Sequence, residues 1–106
     1  MEIIINESVQ KEGKEIVEVI MNGRLDTIAS QECGDQWARV MSLADRAIVL
    51  DMTNLEYMAS SGLRMLLSLR REAQGKGGTL QLKGVNADVM QILKMTACKD
   101  LFSYAD

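Results

Sequence analysis

Two adjacent hydroxyl side chains, Ser60 and Ser61, lie where a loop leads into a segment with helical apolar spacing, and Gly62 follows them. A serine at a helix N-terminus can accept a hydrogen bond from a backbone N–H that has no partner within the helix, which is worth about 1 kcal/mol. The same terminus stabilises an added phosphoryl group, because free N–H groups and the helix dipole favour negative charge there. Arg64, one turn further on, can pair with that group. The segment predicts either a structural cap or a serine whose phosphorylation acts as a switch.

Three carboxylates, Asp26, Asp51 and Glu56, form a second candidate site. Paired carboxylates can act as general acid and base or hold a hard cation. Asp26 and Asp51 each follow an apolar segment typical of a strand, so their side chains can meet at one edge of a sheet. Helix capping and solvated strand ends explain the same residues, and we expect no metal site.

Other residues that commonly carry catalysis are scarce, since the chain contains no histidine and two cysteines, Cys33 and Cys98. The absence of histidine excludes Ser-His-Asp and Cys-His catalytic groups and histidine metal ligands. The widely spaced cysteines suit a reducing cytosol, and we expect buried, inert thiols. The glycines of segment 75–79 follow a predicted helix and precede a strand, the reverse of a phosphate-binding loop, so a turn is expected. These observations predict a protein that is not an enzyme and has no cofactor.

The composition is that of one globular domain. The chain has 106 residues, of which 47% are hydrophobic and 25% charged, and its net charge is -3. Its basic residues form no cluster larger than Arg70-Arg71, which disfavours nucleic-acid binding, because phosphate neutralisation needs a basic face. The apolar run near the start is too short for a signal peptide or a membrane span. We expect residues 1–106 to form a single cytoplasmic domain without a nucleic-acid or membrane partner.

The spacing of apolar residues predicts alternating strands and helices. Strands are expected over 2–9 and 15–22, joined by a polar turn in which Gly13 supplies a positive φ. Asp26 or Thr27 can cap a first helix, whose apolar residues recur at three-to-four spacing as far as Ala44. Further expected elements are a buried strand over 47–52, a loop over 54–59, a helix from 60 to the glycines at 75–78, a strand over 79–83, a helix over 86–95, and a last turn or strand over 101–104.

This order, β-β-α-β-α-β-α, specifies the fold class. Successive strand–helix–strand units require right-handed crossovers and parallel pairing, whereas the first two strands form an antiparallel hairpin. We therefore expect an α/β protein with a single mixed sheet and helices packed on it.

Several segments together resemble the STAS domain, and more narrowly the bacterial anti-sigma factor antagonists. Their pattern is an apolar strand, a short loop, the motif [FY]-[MI]-D-S-[ST]-G-L and a helix, and residues 48–63 match it with Y-M-A-S-S-G-L at 57–63. Upstream, Gly23-Arg24-Leu25-Asp26 matches the family's G-x-[LI]-D. Downstream, G-G-T-L at 77–80 and I-L-K-M-T at 92–96 match its later stretches. The resemblance spans essentially the whole chain.

The resemblance implies a partner-switching protein. Such proteins bind an anti-sigma factor that is also a serine kinase, or a relative of one, and so release a sigma factor. The kinase inactivates the antagonist by phosphorylating the first serine of the motif, which aligns with Ser60, and a phosphatase restores it. Asp26 aligns with an acidic residue near that serine which helps kinase recognition. ATP and magnesium would belong to the kinase.

One residue of the motif departs from the family, because Ala59 replaces the aspartate that usually precedes the phosphorylated serine. This change is expected to move the helix cap to Ser60 or Ser61 and to remove a charge from the partner-facing loop. It can also alter kinase recognition, move phosphorylation to Ser61 or abolish it. We expect the partner-binding surface to comprise Asp26, Met58, Ala59, Ser60, Ser61, Leu63 and Arg64. The alternative is a STAS module that senses a small ligand or assists a transport system and is not regulated by phosphorylation.

Overall fold

Six strands and four α-helices make up the computed structural model, which describes residues 1–105. Strands β1 and β2 form the expected hairpin, in which Glu12 and Gly13 have φ values of 53° and 79°. The elements are β1 (Glu2–Lys11), β2 (Lys14–Leu25), α1 (Thr27–Glu32), α2 (Gly34–Ser42), β3 (Ala47–Asp51), β4 (Leu55–Met58), α3 (Ser60–Lys76), β5 (Thr79–Lys83), α4 (Ala87–Met95), a 3-10 turn (Lys99–Leu101) and β6 (Ser103–Ala105).

The strands form one mixed sheet, as the sequence predicts, and their spatial order is β1-β2-β3-β5-β6. The β1–β2 pair is antiparallel, whereas β2–β3, β3–β5 and β5–β6 are parallel. Strand β4 lies off this path and pairs in parallel with the last residues of β2. The carboxyl ends of β2 and β4 therefore lie side by side.

One face of the sheet carries the core. Val17, Val19 and Met21 of β2 are fully buried, as are Ile48 and Leu50, the residues paired with the two valines on β3. The helices pack on this face with side chains that belong to the same buried cluster, including Trp37, Leu66, Leu69 and Leu93. Successive side chains along each strand point to opposite faces of the sheet, and the side chains on the other face are more polar.

Three predicted elements are wrong in detail. Strand β2 continues through Gly23, whose φ of 106° accompanies a register shift in the pairing with β4. The first helix is two helices that meet at Cys33, and the second begins at Gly34, a residue of low helix propensity. Residues 55–58 are a strand rather than a loop, although Leu55 and Met58 are buried and the two residues between them exposed, which is not the alternation typical of a strand.

The remaining elements agree closely with the predictions. Asn86 caps α4, since its Oδ1 accepts a hydrogen bond of 2.9 Å from the N–H of Val89. Gly77 ends α3 in the left-handed conformation with φ 77°. The tail contains both of the alternatives considered, a 3-10 turn and a short strand. No helix within the described residues is long and apolar enough to cross a membrane.

Candidate functional site

The candidate site lies where β2 and β4 end together. Leu25 pairs with Met58 in the parallel register, and the N–H of Ala59 donates a 2.9 Å hydrogen bond to the carbonyl of Leu25. Asp26 is the residue after Leu25, and Ser60 is the residue after Ala59. The two residues that the resemblance associates therefore follow directly on neighbouring strand ends, although they are 34 positions apart in the sequence.

Asp26 is the N-cap of α1. Its Oδ1 accepts a 2.8 Å hydrogen bond from the N–H of Ala29, so Asp26 rather than Thr27 performs the capping role expected of one of them. Asp26 is half-buried and directly follows Leu25, whose carbonyl is bonded to the residue that precedes Ser60. Its structural role is thus clear from its contacts, whereas a role in kinase recognition stays a prediction.

The two serines of the motif have different environments. Ser60 is exposed. Ser61 is half-buried, and its hydroxyl lies 3.1 Å from the Oγ of Ser30, which itself donates to the carbonyl of Thr27 over 2.8 Å. Ser61 is therefore engaged in linking α3 to α1, whereas Ser60 faces solvent at the helix terminus.

Neither serine caps α3, which corrects the expectation drawn from Ala59. The N-cap position belongs to Ala59 itself, with extended dihedral angles of φ −82° and ψ 172° and no side-chain hydrogen bond. Ser60 and Ser61 are the first two residues inside the helix. Their side chains lie one and two residues past the cap position, because the cap is the residue preceding the first helical one.

Gly62 has a packing role that the sequence analysis did not identify. A Cβ atom at this position would lie 2.8 Å from Cγ and Cδ2 of Leu25 and 2.9 Å from Cγ of Met58. The absence of a side chain thus lets the first turn of α3 rest directly on the ends of β2 and β4. Glycine inside a helix is unfavourable by roughly 1 kcal/mol relative to alanine. The presence of a glycine within a predicted helix is therefore the only local feature that indicates such a contact.

Two residues of the expected partner surface belong to the core. Met58 is 1% exposed and Leu63 7% exposed, so the expectation that their side chains present an apolar surface is wrong. Arg64 is exposed and Ala59 half-buried, in keeping with a surface position.

Exposed apolar side chains near this edge come instead from other residues. Ile28, on α1, is 66% exposed, and Tyr57, on β4, is 39% exposed. The guanidinium of Arg24 lies 4.7 Å from the centre of the Tyr57 ring, a cation–π contact. Local spacing did not predict these residues, because it does not tell which of the apolar side chains face solvent.

The three carboxylates do not assemble. Asp51 pairs with Ile20, six positions before Asp26 on β2, and its Oδ1 accepts hydrogen bonds from the N–H and hydroxyl of Thr53 at 3.0 and 2.6 Å. Within residues 1–105, no group of three or more histidine, cysteine, aspartate or glutamate side chains could hold a metal. The expected meeting of Asp26 and Asp51 is thus wrong.

The other candidate features have structural explanations. Cys33 and Cys98 are buried free thiols, and burial raises the pKa of Cys33 above its ordinary value, which disfavours the reactive thiolate. The glycine segment at 75–79 spans the end of α3 and the start of β5, as predicted for a turn.

The amino-acid sequence matches STAS domains. A family model described as "Mlab, STAS domain" matches residues 8–102. A STAS-domain containing protein of Pseudomonas aeruginosa strain UCBPP-PA14 is 34% identical over 91 residues, which are 86% of this chain and 88% of that protein. The expected STAS-like fold is confirmed.

Solved structures of anti-sigma factor antagonists share the fold. An anti-sigma-factor antagonist (STAS) domain protein from Planctomyces limnophilus superposes with a TM-score of 0.76 at 14% identity, covering 98% of this chain and 88% of that one. The antagonist SpoIIAA in its unphosphorylated form gives 0.69 at 18% identity over 99% and 88% of the two chains. The phosphorylated form of SpoIIAA, a Bacillus cell fate determinant, gives 0.66 at 17% identity over 99% and 92%.

Proposed function

This chain belongs to the STAS domain family, and we propose that it is an anti-sigma factor antagonist controlled by phosphorylation of Ser60. In this proposal residues 1–106 form one cytoplasmic STAS domain that binds an anti-sigma factor of the serine-kinase type. The kinase adds the phosphoryl group and a cognate phosphatase removes it, while this chain performs no catalysis. The observation that carries the proposal is the exposed Ser60 beside Asp26 at the N-terminus of α3.

The choice of Ser60 over Ser61 rests on their contacts. A kinase must bring the hydroxyl oxygen into line with the γ-phosphate of ATP, and the exposed side chain of Ser60 allows this without breaking contacts. Phosphorylation of Ser61 would disrupt the hydroxyl contact with Ser30 and introduce charge into the half-buried seam between α1 and α3. We therefore propose Ser60 as the acceptor.

The phosphoryl group would act through charge at this terminus. It carries about -1.5 to -2 charges at neutral pH, which the N-terminal end of the 17-residue α3 stabilises without unfolding the helix. Arg64, one turn along, is positioned to pair with it. The partner-facing edge would thus change sign while the fold persists, consistent with the similar fits to the unphosphorylated and phosphorylated forms of SpoIIAA.

Binding measurements with variants of Ser60 test the proposal. We expect Ser60→Ala to bind a purified anti-sigma factor of the same organism as well as the unaltered chain does. Ser60→Asp should weaken binding about 5- to 150-fold, the range that a coupling free energy of 1–3 kcal/mol produces. Ser68→Asp is the matched control, because Ser68 is also exposed on α3 but lies two turns from the terminus. Equal binding by Ser60→Asp and Ser60→Ala would contradict the proposal.

Mass spectrometry identifies the modified residue directly. After incubation with ATP and host lysate, the chain should gain one phosphoryl group that maps to Ser60 and is absent from Ser60→Ala. A gain on Ser61 would keep the function and correct the site. No gain, in a lysate that phosphorylates a positive control, would favour the ligand-sensing or transport-accessory STAS module, for which the replacement of the usual aspartate by Ala59 is the supporting observation.

A further inference from the structure

Strand β1 forms one border of the sheet. Within residues 1–105, β1 pairs only with β2, so no strand covers its outer side. The backbone N–H and C=O groups of every second residue along such a border point outward and have no partner in the sheet. The opposite border, β6, has three residues, whereas β1 has ten. The sheet thus has one long border at which a further strand can add.

The first half of β1 lacks the features that usually protect a sheet border, namely lysine, proline, a bulge or a very short strand. Its pairing with β2 is regular from Glu2 to Asn6, and the register shifts only between Asn6 and Val9. Residues 2–6, E-I-I-I-N, contain no lysine and no proline, and their single charge belongs to Glu2. This segment, which we call the free edge, is therefore the part of β1 that is open to pairing.

An exposed apolar side chain lies at the middle of the free edge. Ile3 is 7% exposed and belongs to the core, whereas the next residue, Ile4, points to the other face of the sheet and is 38% exposed. Ile4 pairs with Ile20 of β2, which is half-buried on the same face. The two isoleucines form a short apolar row across the strands, and this row ends in solvent at the border.

Polar pairs flank this row on both sides. On one side the Nδ2 of Asn22 donates a 2.9 Å hydrogen bond to Glu2, and on the other the Nδ2 of Asn6 donates a 3.2 Å hydrogen bond to Glu18. The free edge therefore has a carboxylate at its first residue, an amide at its last and isoleucine at its centre. A copy of the same segment that runs in the opposite direction presents these groups in the complementary order.

We propose that the free edge pairs in the antiparallel direction with the free edge of a second copy of this chain, with the two-fold axis at Ile4. This is the one antiparallel register that pairs all five residues from Glu2 to Asn6 with one another. It places Glu2 opposite Asn6 of the second copy, so that a carboxylate faces an amide donor and no two like charges are directly opposed. The apolar row then continues without interruption from Ile20 of one copy to Ile20 of the other.

The side chains favour a second copy over an unrelated strand. Main-chain hydrogen bonds can form with any added strand, whereas the match of side chains is with the segment itself. So short a pairing buries less area than a standard interface, and we expect a weak, reversible dimer. Because each copy has a net charge of -3, salt should strengthen the association by screening the repulsion. The free edge does not include Ser60, so the proposal does not depend on the phosphorylation switch.

Sedimentation equilibrium over a series of concentrations, up to the millimolar range, tests the proposal on the full chain. We expect a reversible equilibrium between monomer and dimer. Ile4→Lys should weaken it at least about tenfold, because this change sets two like charges opposite each other at the axis. Ile28→Lys is the matched control, since Ile28 is 66% exposed but lies on α1, and it should leave the dimer unaltered. A chain that remains monomeric throughout, or equal weakening by the two variants, would overturn the proposal.

Cysteine cross-linking tests the register. Ile4→Cys places two thiols directly opposite each other, with Cα atoms roughly 4.5–5.5 Å apart, which is within the range of a disulfide. Glu2→Cys is the matched control on the same face, because its two thiols would lie about 13 Å apart along the strands. Oxidation with diamide should link Ile4→Cys into a dimer but not Glu2→Cys, since the native Cys33 and Cys98 are buried. Equal linking of the two variants, or none in Ile4→Cys, would refute the register and with it the proposal.

Discussion

Gly62 determines how closely the helix that bears Ser60 approaches the sheet. A Cβ at this position would meet the side chains of Leu25 and Met58, which are only 0% and 1% exposed. Because these two residues end β2 and β4, any outward displacement of α3 would also move Ser60 relative to Asp26. The geometry of the candidate site thus depends on a residue that itself has no functional group.

The substitution Gly62→Ala tests this contact. We expect it to lower the free energy of unfolding by roughly 1–3 kcal/mol, because the added methyl group overpacks a filled core. Gly75→Ala is the matched control in the same helix, since a Cβ there meets nothing within 4 Å. It should raise stability by up to about 1 kcal/mol through helix propensity. Urea unfolding of both variants measures the difference, and an equal effect would contradict the packing role of Gly62.

At the scale of elements, α3 differs from two other helices in having no side-chain cap at its N-terminus. Asp26 caps α1 and Asn86 caps α4, whereas Ala59 precedes α3 and has no side chain able to accept a hydrogen bond. The backbone at Ala59 already has the extended conformation that capping residues adopt. An orphaned backbone N–H at this terminus therefore remains available, next to Ser60.

Supplying the missing cap should stabilise the chain. We expect Ala59→Asp and Ala59→Asn each to raise the free energy of unfolding by about 0.5–2 kcal/mol, because the side-chain oxygen can accept from an N–H of the first turn. The comparison separates capping, which both variants provide, from the added charge, which only aspartate provides and which the helix dipole favours. Urea unfolding is the measurement, and no stabilisation by either variant would mean that solvent already satisfies this terminus at no cost.

At the scale of the whole molecule, charged side chains join distant segments around the sheet. Glu7, in the irregular part of β1, pairs with Arg39 of α2 at 2.6 Å. Arg46 donates to the carbonyl of Glu7 at 2.6 Å and pairs with Glu15 at 2.7 Å. The hydrogen bond from Arg39 lowers the pKa of Glu7, against a smaller opposing effect of burial.

Asp51 gives the chain a measurable acid sensitivity. Burial raises the pKa of its carboxyl, but hydrogen bonds from Thr53 and the charges of Lys83 and Lys11 outweigh this effect, so its pKa in the folded chain is lowered. A lowered carboxyl pKa contributes stability above the ordinary value near about 4, and this contribution is lost as the pH falls through the folded value.

We therefore expect the free energy of unfolding to fall between pH 5 and 3, roughly the range around the ordinary carboxyl pKa, and to fall less steeply in Asp51→Asn. Asp45→Asn, at an exposed carboxylate outside this turn, is the matched control. Urea unfolding at several pH values measures the slopes. Identical slopes for Asp51→Asn and the unaltered chain would contradict the role of Asp51.

The sequence by itself determined the features that depend on neighbouring residues. The hairpin at Gly13, the buried strand β3, the cap at Asn86 and the end of α3 at Gly77 follow from turn chemistry, apolar runs and capping, all of which act over a few residues. The order of these elements was sufficient to predict the single mixed sheet. The motif at 57–63 predicted Ser60 as the phosphorylated residue, and that assignment stays a prediction.

Only the tertiary structure decided which residues meet and which face solvent. Strand β4 exists because the end of β2 provides its partner, and the same pairing brings Asp26 beside Ser60. Met58 and Leu63 are core residues because α3 packs against these strand ends, a fact that apolar spacing alone does not contain. Such contacts join residues far apart in the chain, so their energies depend on packing in three dimensions rather than on local sequence.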